Sequence, residues 1–119
     1  MSLYFTSNDR DVWNPASGTG RLYSDQVASL ARELGVESGL APVISDEVKI
    51  DETVFVAFVQ AGLAFSLQLG ADSLPRALVS PVLAVSVALV EKLGNAALPP
   101  LPDALVGPVA AARLHVGTP

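Results

Sequence analysis

The chain has no cysteine, a single histidine, a single tryptophan and only seven lysines and arginines in 119 residues. Without cysteine neither a disulfide framework nor a thiolate metal site is possible, and nothing argues for an oxidising compartment. The N-terminus, MSLYFTSNDRDVW, lacks the basic and apolar regions of a secretory signal, so a cytoplasmic location is expected. The few bases are also scattered. Residues 1–52 carry nine acids against four bases, and residues 53–119 carry three of each. Binding a phosphate backbone needs clustered Lys and Arg that release counterions, so nucleic acid is not an expected partner. The length fits one domain with one core, 1–119.

What the sequence does have is a long apolar stretch. From Thr53 to Val90 the only charged side chains are Asp72 and Arg76. Asp51, just before Glu52, is a natural N-cap, able to accept from unpaired N–H groups of a first helical turn. Phe55, Phe58, Val59, Gly62, Phe65 and Leu69 follow at helical steps, which stacks three phenylalanines on one face around a small residue. The other face, with Val54, Ala57, Ala61 and Ala64, offers water only Gln60, Ser66 and Gln68, and a helix so apolar is expected to be buried on most sides. Gly70 reads as its stop. Leu74-Pro75 suits a first helical turn, and Pro81 after Ser80 either kinks one continuous helix or, as the favoured reading, follows a break at Ser80 and starts a helix to Gly94. Val82, Val85, Val87 and Val90 favour strand by propensity, but strict alternation is missing and the cap signals are helical.

Around this hairpin the signals are shorter. Leu3–Thr6 is a brief β-favouring segment, and Asn14-Pro15 initiates a turn. Trp13 is read first as a packing anchor and second as a ligand or partner contact. Gly18-Thr19-Gly20 lacks the lysine of a phosphate loop and the third glycine of a dinucleotide fingerprint. Thr19 or Ser24 is a candidate cap for a helix whose stripe is Tyr23, Val27, Leu30, Ala31 and Leu34, ending at Gly35. Val43-Ile44 and Val48–Ile50 are short apolar pieces in an irregular or extended stretch. Asp46, Glu47, Asp51 and Glu52 match no calcium-loop spacing and read as solvated acids favouring a helix start. The prolines of 99–102 impose an extended strap, with a short segment, Ala104 to Leu114, after it. His115 stands alone, with no nucleophile to serve.

The expected fold is therefore all-α. It is a small helical bundle built on an apolar hairpin, with an extended N-terminal arm (1–18), a helical core (19–94) and a Pro-rich strap with a short terminal helix (95–119). Helices are expected near 20–34, 52–69 and 81–93.

Tyr4-Phe5, Trp13-Asn14-Pro15, Arg21-Leu22, Glu33-Leu34-Gly35, Ser38–Pro42 and Ile50-Asp51 together resemble a family of small actinobacterial proteins known as a domain of unknown function. The resemblance covers the first half. It implies a bacterial cytoplasmic origin and brings no activity, cofactor or site residue with it.

Three functions are compatible with these residues. The first is a non-enzymatic interaction or accessory protein, a homo-oligomer or a protein's partner, since so small a domain has difficulty hiding two apolar helices. The second is a pocket for an apolar small molecule, lined by Phe55, Phe58 and Phe65 with Gln60 or Gln68 as polar contacts. The third is a membrane hairpin, against which Gln60, Gln68, two glycines and a second uncharged run interrupted by Pro81 all argue. The candidate surface comprises Trp13, Phe55, Phe58, Gln60, Ala61, Phe65 and Gln68. No residue pattern assigns a catalytic group, a metal ligand or a cofactor.

Overall fold

The computed structural model describes residues 1–95 and 97–117. Its N-terminal arm is a sheet. Strands β1 (Tyr4–Ser7) and β2 (Arg10–Trp13) pair antiparallel, and β3 (Glu47–Lys49) pairs parallel to the other edge of β1, giving the order β2-β1-β3. The all-α expectation is thus overturned: this is an α/β fold with four helices and a three-stranded mixed sheet among the described residues.

Turn chemistry explains the sheet. Asn8 and Asp9 have φ of 52° and 63°, the left-handed pair that a two-residue type I′ hairpin requires. Ser45 and Asp46 repeat this with φ of 52° and 60°, and Ile44 and Glu47 exchange two backbone hydrogen bonds of 3.0 Å around them. Asn, Asp and Ser tolerate this conformation better than most residues because their short polar chains bond locally. Strands of three and four residues are too short for alternation to be read from sequence, and the β1–β3 pairing joins segments some 40 positions apart.

Helix α1 (Ser17–Leu34) starts ahead of the predicted caps Thr19 and Ser24, because Ser17 N–H is already held by the Met1 carbonyl at 3.0 Å. It stops at Gly35 (φ 70°), as its sequence predicts. Helix α2 (Glu52–Leu67) is capped by Asp51, whose carboxylate accepts from Val54 N at 3.3 Å. It ends two residues before Leu69, where the amides of Gln68 and Leu69 turn to tighter bonds with Phe65 and Ser66.

Helix α3 (Leu74–Lys92) runs unbroken through Pro81, where a break had been expected. Pro81 is exposed, and Ser80 Oγ donates to the Arg76 carbonyl at 2.7 Å in the same turn. After the proline-rich strap, helix α4 (Asp103–Val116) lies along α3, burying Leu105, Val109, Ala112 and Val116. Those residues step by four, three and four, a helical stripe that Pro108 obscures in the sequence. Arg113 binds Glu91 of α3 bidentately, at 2.7 and 2.8 Å.

One apolar cluster joins all these elements, from Leu3, Phe5 and Val48 of the sheet region to Val109 and Val116 of α4. The C-terminal half of α3 is central to it, with Val82, Leu83, Ala84 and Val87–Val90 buried. By length and composition α3 is apolar enough to cross a membrane, but that half is the middle of this core.

Candidate interaction surface

The residues singled out from sequence fall in different places. Phe55 and Phe58 are buried side by side in the core, ring centroids 6.1 Å apart, packed with Val59 and Leu63. Phe65 is half-buried nearer the end of α2. Gln60 is exposed and donates through Nε2 to the Ala97 carbonyl at 2.8 Å, which ties the proline-rich strap to α2. Gln68 is exposed, Ala61 half-buried, and Ala57 and Ala64 exposed, so α2 presents small side chains outward while its aromatic rings pack inward. Trp13 belongs to a separate aromatic group, its ring 5.0 Å from Phe5 and 5.5 Å from Tyr23.

Three exposed leucines lie near the turn of the α2–α3 hairpin. Leu67, Leu74 and Leu78 are 65%, 71% and 71% exposed. They are exposed because the hairpin extends past the core: on α3, burial begins only at Val82. Leu74 and Leu78 sit one turn apart on one face of α3. Beside them are Asp72, exposed, and Arg76, whose Nε is buried without a hydrogen-bond partner. Neither forms a salt bridge among the described residues. The helical spacing of Leu74 and Leu78 was legible in the sequence, but the expected break at Ser80 separated them from the part of α3 that is buried in the core.

From this tip an open groove runs between α1 and α3. Its first part, about 480 Å³, has Leu30, Leu78, Val79 and Val82 as its walls and Asp25 and Glu33 at its edge. Gln26 and Val82 also line the next part, about 460 Å³, which continues past Leu22, Pro81 and Val85 to Trp13 and His115. Beneath it Tyr23 is buried and its hydroxyl lies 2.6 Å from Ser86 Oγ. Because Ser86 already donates its proton to the Val82 carbonyl at 2.7 Å, Tyr23 must be the donor in that contact. Burial pushes the Tyr23 phenol well above its ordinary value of 10.0, against a smaller opposing effect of the Ser86 bond, so it holds its proton at neutral pH.

The acids do not gather. Asp46 lies 3.9 Å from Arg21, Glu47 accepts from Thr6 Oγ1 at 3.0 Å, and Asp51 caps α2. No group of three or more potential metal-ligating His, Asp or Glu side chains occurs among the described residues. Another cleft, about 890 Å³, is open and polar, between the ends of β1 and β3 and the start of α2, with Glu37, Lys49, Asp51 and Glu52 on its walls.

Fold and surface together define a small α/β domain with exposed leucines near the hairpin turn and an open groove between α1 and α3. The chain belongs to the family described as Family of unknown function (DUF6086), whose model matches residues 1–115. The match therefore extends well beyond the first half to which the sequence resemblance was confined. No curated protein and no solved structure matches the chain.

Proposed function

We propose that this protein is a non-enzymatic, soluble interaction module of a bacterial, actinobacterial cytoplasm that self-associates through the tip of its α2–α3 hairpin. The observation that carries this reading is the exposure of Leu67, Leu74 and Leu78 on one projecting, rigid element. Single exposed leucines are ordinary on protein surfaces, whereas a contiguous apolar patch marks association. The charges at the tip favour a second copy over an unrelated partner. Asp72 and Arg76 are opposite in sign, and a two-fold arrangement that sets Asp72 of one copy against Arg76 of the other pairs both charges. A standard interface takes about 800 Å² from each partner, roughly one-eighth of the 6499 Å² accessible here.

Sedimentation velocity at tens of micromolar tests this. The wild type is expected to sediment as a dimer or larger species, and Leu74→Asp with Leu78→Asp as a monomer of unchanged helix content. Ala61→Glu on the outward face of α2 should weaken association if the interface extends along the hairpin. A strictly monomeric wild type across that range would remove self-association from the account.

A further inference from the structure

We propose that the strap between α3 and α4, residues 97–102, is a preformed polyproline II ligand, presented to a protein domain whose groove is lined by aromatic rings and has no acidic rim. The strap follows the C-terminal end of α3, away from the hairpin tip, and its use does not depend on self-association.

The sequence sets the backbone. Leu98-Pro99-Pro100-Leu101-Pro102 contains three prolines, whose rings hold φ at about −65°. Each residue that precedes one of them, Leu98, Pro99 and Leu101, is kept out of the helical region and in the extended one. Pro102 has φ of −57° and ψ of 144°, the values of a polyproline II helix. Such a helix has about three residues per turn, so positions 98 and 101 share one face, 99 and 102 the next, and 100 and 103 the third. Burial follows this period. Leu98 and Leu101 are half-buried and pack against the core, Pro99, Pro100 and Asp103 are exposed, and Pro102 is half-buried. One face therefore holds the strap to the protein, and the other two carry the prolines.

Both ends are pinned. Gln60 Nε2 donates to the Ala97 carbonyl at 2.8 Å, and Ala97 N donates to Asn95 Oδ1 at 2.8 Å. The Pro102 carbonyl accepts from Leu105 N at 2.9 Å in the first turn of α4. Between these points the carbonyls of Leu98, Pro99, Pro100 and Leu101 accept no hydrogen bond from the described residues. Outward prolines beside unpaired acceptors are what a polyproline-binding groove takes: its rings pack on the prolines, and its indole or phenol protons reach the carbonyls. An anchored strap has already lost the conformational freedom that a loose segment gives up on binding.

Charge narrows the partner. No lysine or arginine lies between Lys92 and Arg113, so a groove whose acidic rim selects a flanking base is not matched. A second copy does not supply the groove either. Phe5, Tyr23, Phe55 and Phe58 are buried and Trp13 packs against the first two, which leaves Tyr4 and Phe65 on different elements.

The probe is an isotope-labelled WW domain that binds free Pro-Pro-Leu-Pro peptides, its amide shifts followed as the intact protein is added. Because its groove is matched to this sequence, the titration reports whether the fold presents the strap. Saturable shifts of the groove residues are expected, with half-saturation below about 1 mM. Pro99→Ala and Pro100→Ala, at exposed positions, should each weaken binding about fivefold or more, since each removes ring methylenes from the groove. Leu74→Asp with Leu78→Asp should bind as the wild type does, and loss of binding in that variant would place the contact at the tip and overturn the proposal. An SH3 domain with an acidic rim, titrated in the same way, should not respond. The proposal is also overturned by an unchanged WW spectrum at about 1 mM protein, by both proline variants binding within about twofold of the wild type, or by an SH3 response as strong as that of the WW domain.

Discussion

Gly62→Ala should destabilise this protein even though alanine is the better helix former, and the sign should reverse once Leu83 is shortened. Gly62 lies inside α2, where replacing glycine by alanine ordinarily contributes about 0.5–1 kcal/mol. A Cβ built there, however, would stand 2.5 Å from Leu83 Cδ2 and 3.9 Å from Leu30 Cδ2. The first distance is far inside van der Waals contact. Leu83 is fully buried in the middle of α3, so its side chain has no empty volume to turn into, and relieving the overlap must displace neighbours. Overpacking of this kind costs about 1–3 kcal/mol. Set against the helix gain, the net loss is about 1–2 kcal/mol, or roughly 4–8 °C in Tm for a chain of this size. Leu83→Ala alone should cost about 2–5 kcal/mol through lost burial and the cavity it leaves. In that background the obstructing methyl is gone, and Gly62→Ala should stabilise by about 0.5–1 kcal/mol, giving a coupling of about 2 kcal/mol between the two sites. Urea denaturation of the four proteins at one fixed concentration measures the cycle, the fixed concentration being needed because association would add its own stabilisation. Additive effects within 0.5 kcal/mol, or a stabilised Gly62→Ala single variant, would show that α2 and α3 are not packed this closely.

Three further outcomes follow from other contacts. Gly39 has φ of 81° and a Cβ there would meet Phe55 N at 2.5 Å, a backbone atom at the start of α2 that cannot swing aside, so Gly39→Ala should lose at least about 2 kcal/mol; a loss below 0.5 kcal/mol in urea denaturation would contradict it. Tyr23→Phe should cost about 1 kcal/mol or less near neutral pH, because Ser86 keeps its bond to Val82. The same variant should hold its stability better above pH 10: the folded phenol titrates above its ordinary 10.0, so the stability of the wild type is complete below that value and falls as pH rises past it. Thermal melts of both proteins from pH 8 to 11 distinguish this from parallel curves. Glu91 is held below its ordinary 4.5 chiefly by the hydrogen bonds from Arg113, with the guanidinium charge adding to them and burial opposing. Its contribution is therefore present above that value and lost as pH falls through the lowered one, and Glu91→Gln should flatten the acid limb of a Tm profile between pH 5 and 3; an unchanged limb would mean that the pair is solvated away.

Much of the helical architecture was written locally. Asp51 as a cap, Gly35 and Gly94 as stops, the Tyr23–Leu34 stripe and the inward Phe55–Phe58 face all rest on neighbours within a turn or two, and the structure has them where those neighbours put them. The candidate surface was legible only in part. The sequence singled out the hairpin, but it did not distinguish the buried rings of Phe55 and Phe58 from the exposed end formed by Leu67, Leu74 and Leu78. That distinction depends on how far α3 projects beyond its neighbours, and no local pattern encodes it.

By itself the sequence determined the Asp51 cap and the glycine stops at Gly35 and Gly94, because caps and stops act over three or four residues. The tertiary structure alone decided the sheet, the continuity of α3 and the cleft at Trp13. Glu47–Lys49 is a strand only because β1 lies alongside to pair with it. Pro81 remains within a helix because the residues after it are held in a core and its own side faces water. Trp13, Lys92 and His115 meet because α4 packs back along α3 and brings its C-terminal end to the sheet. Each of these outcomes joins segments tens of residues apart, where the free energy comes from shared burial that no single segment contains.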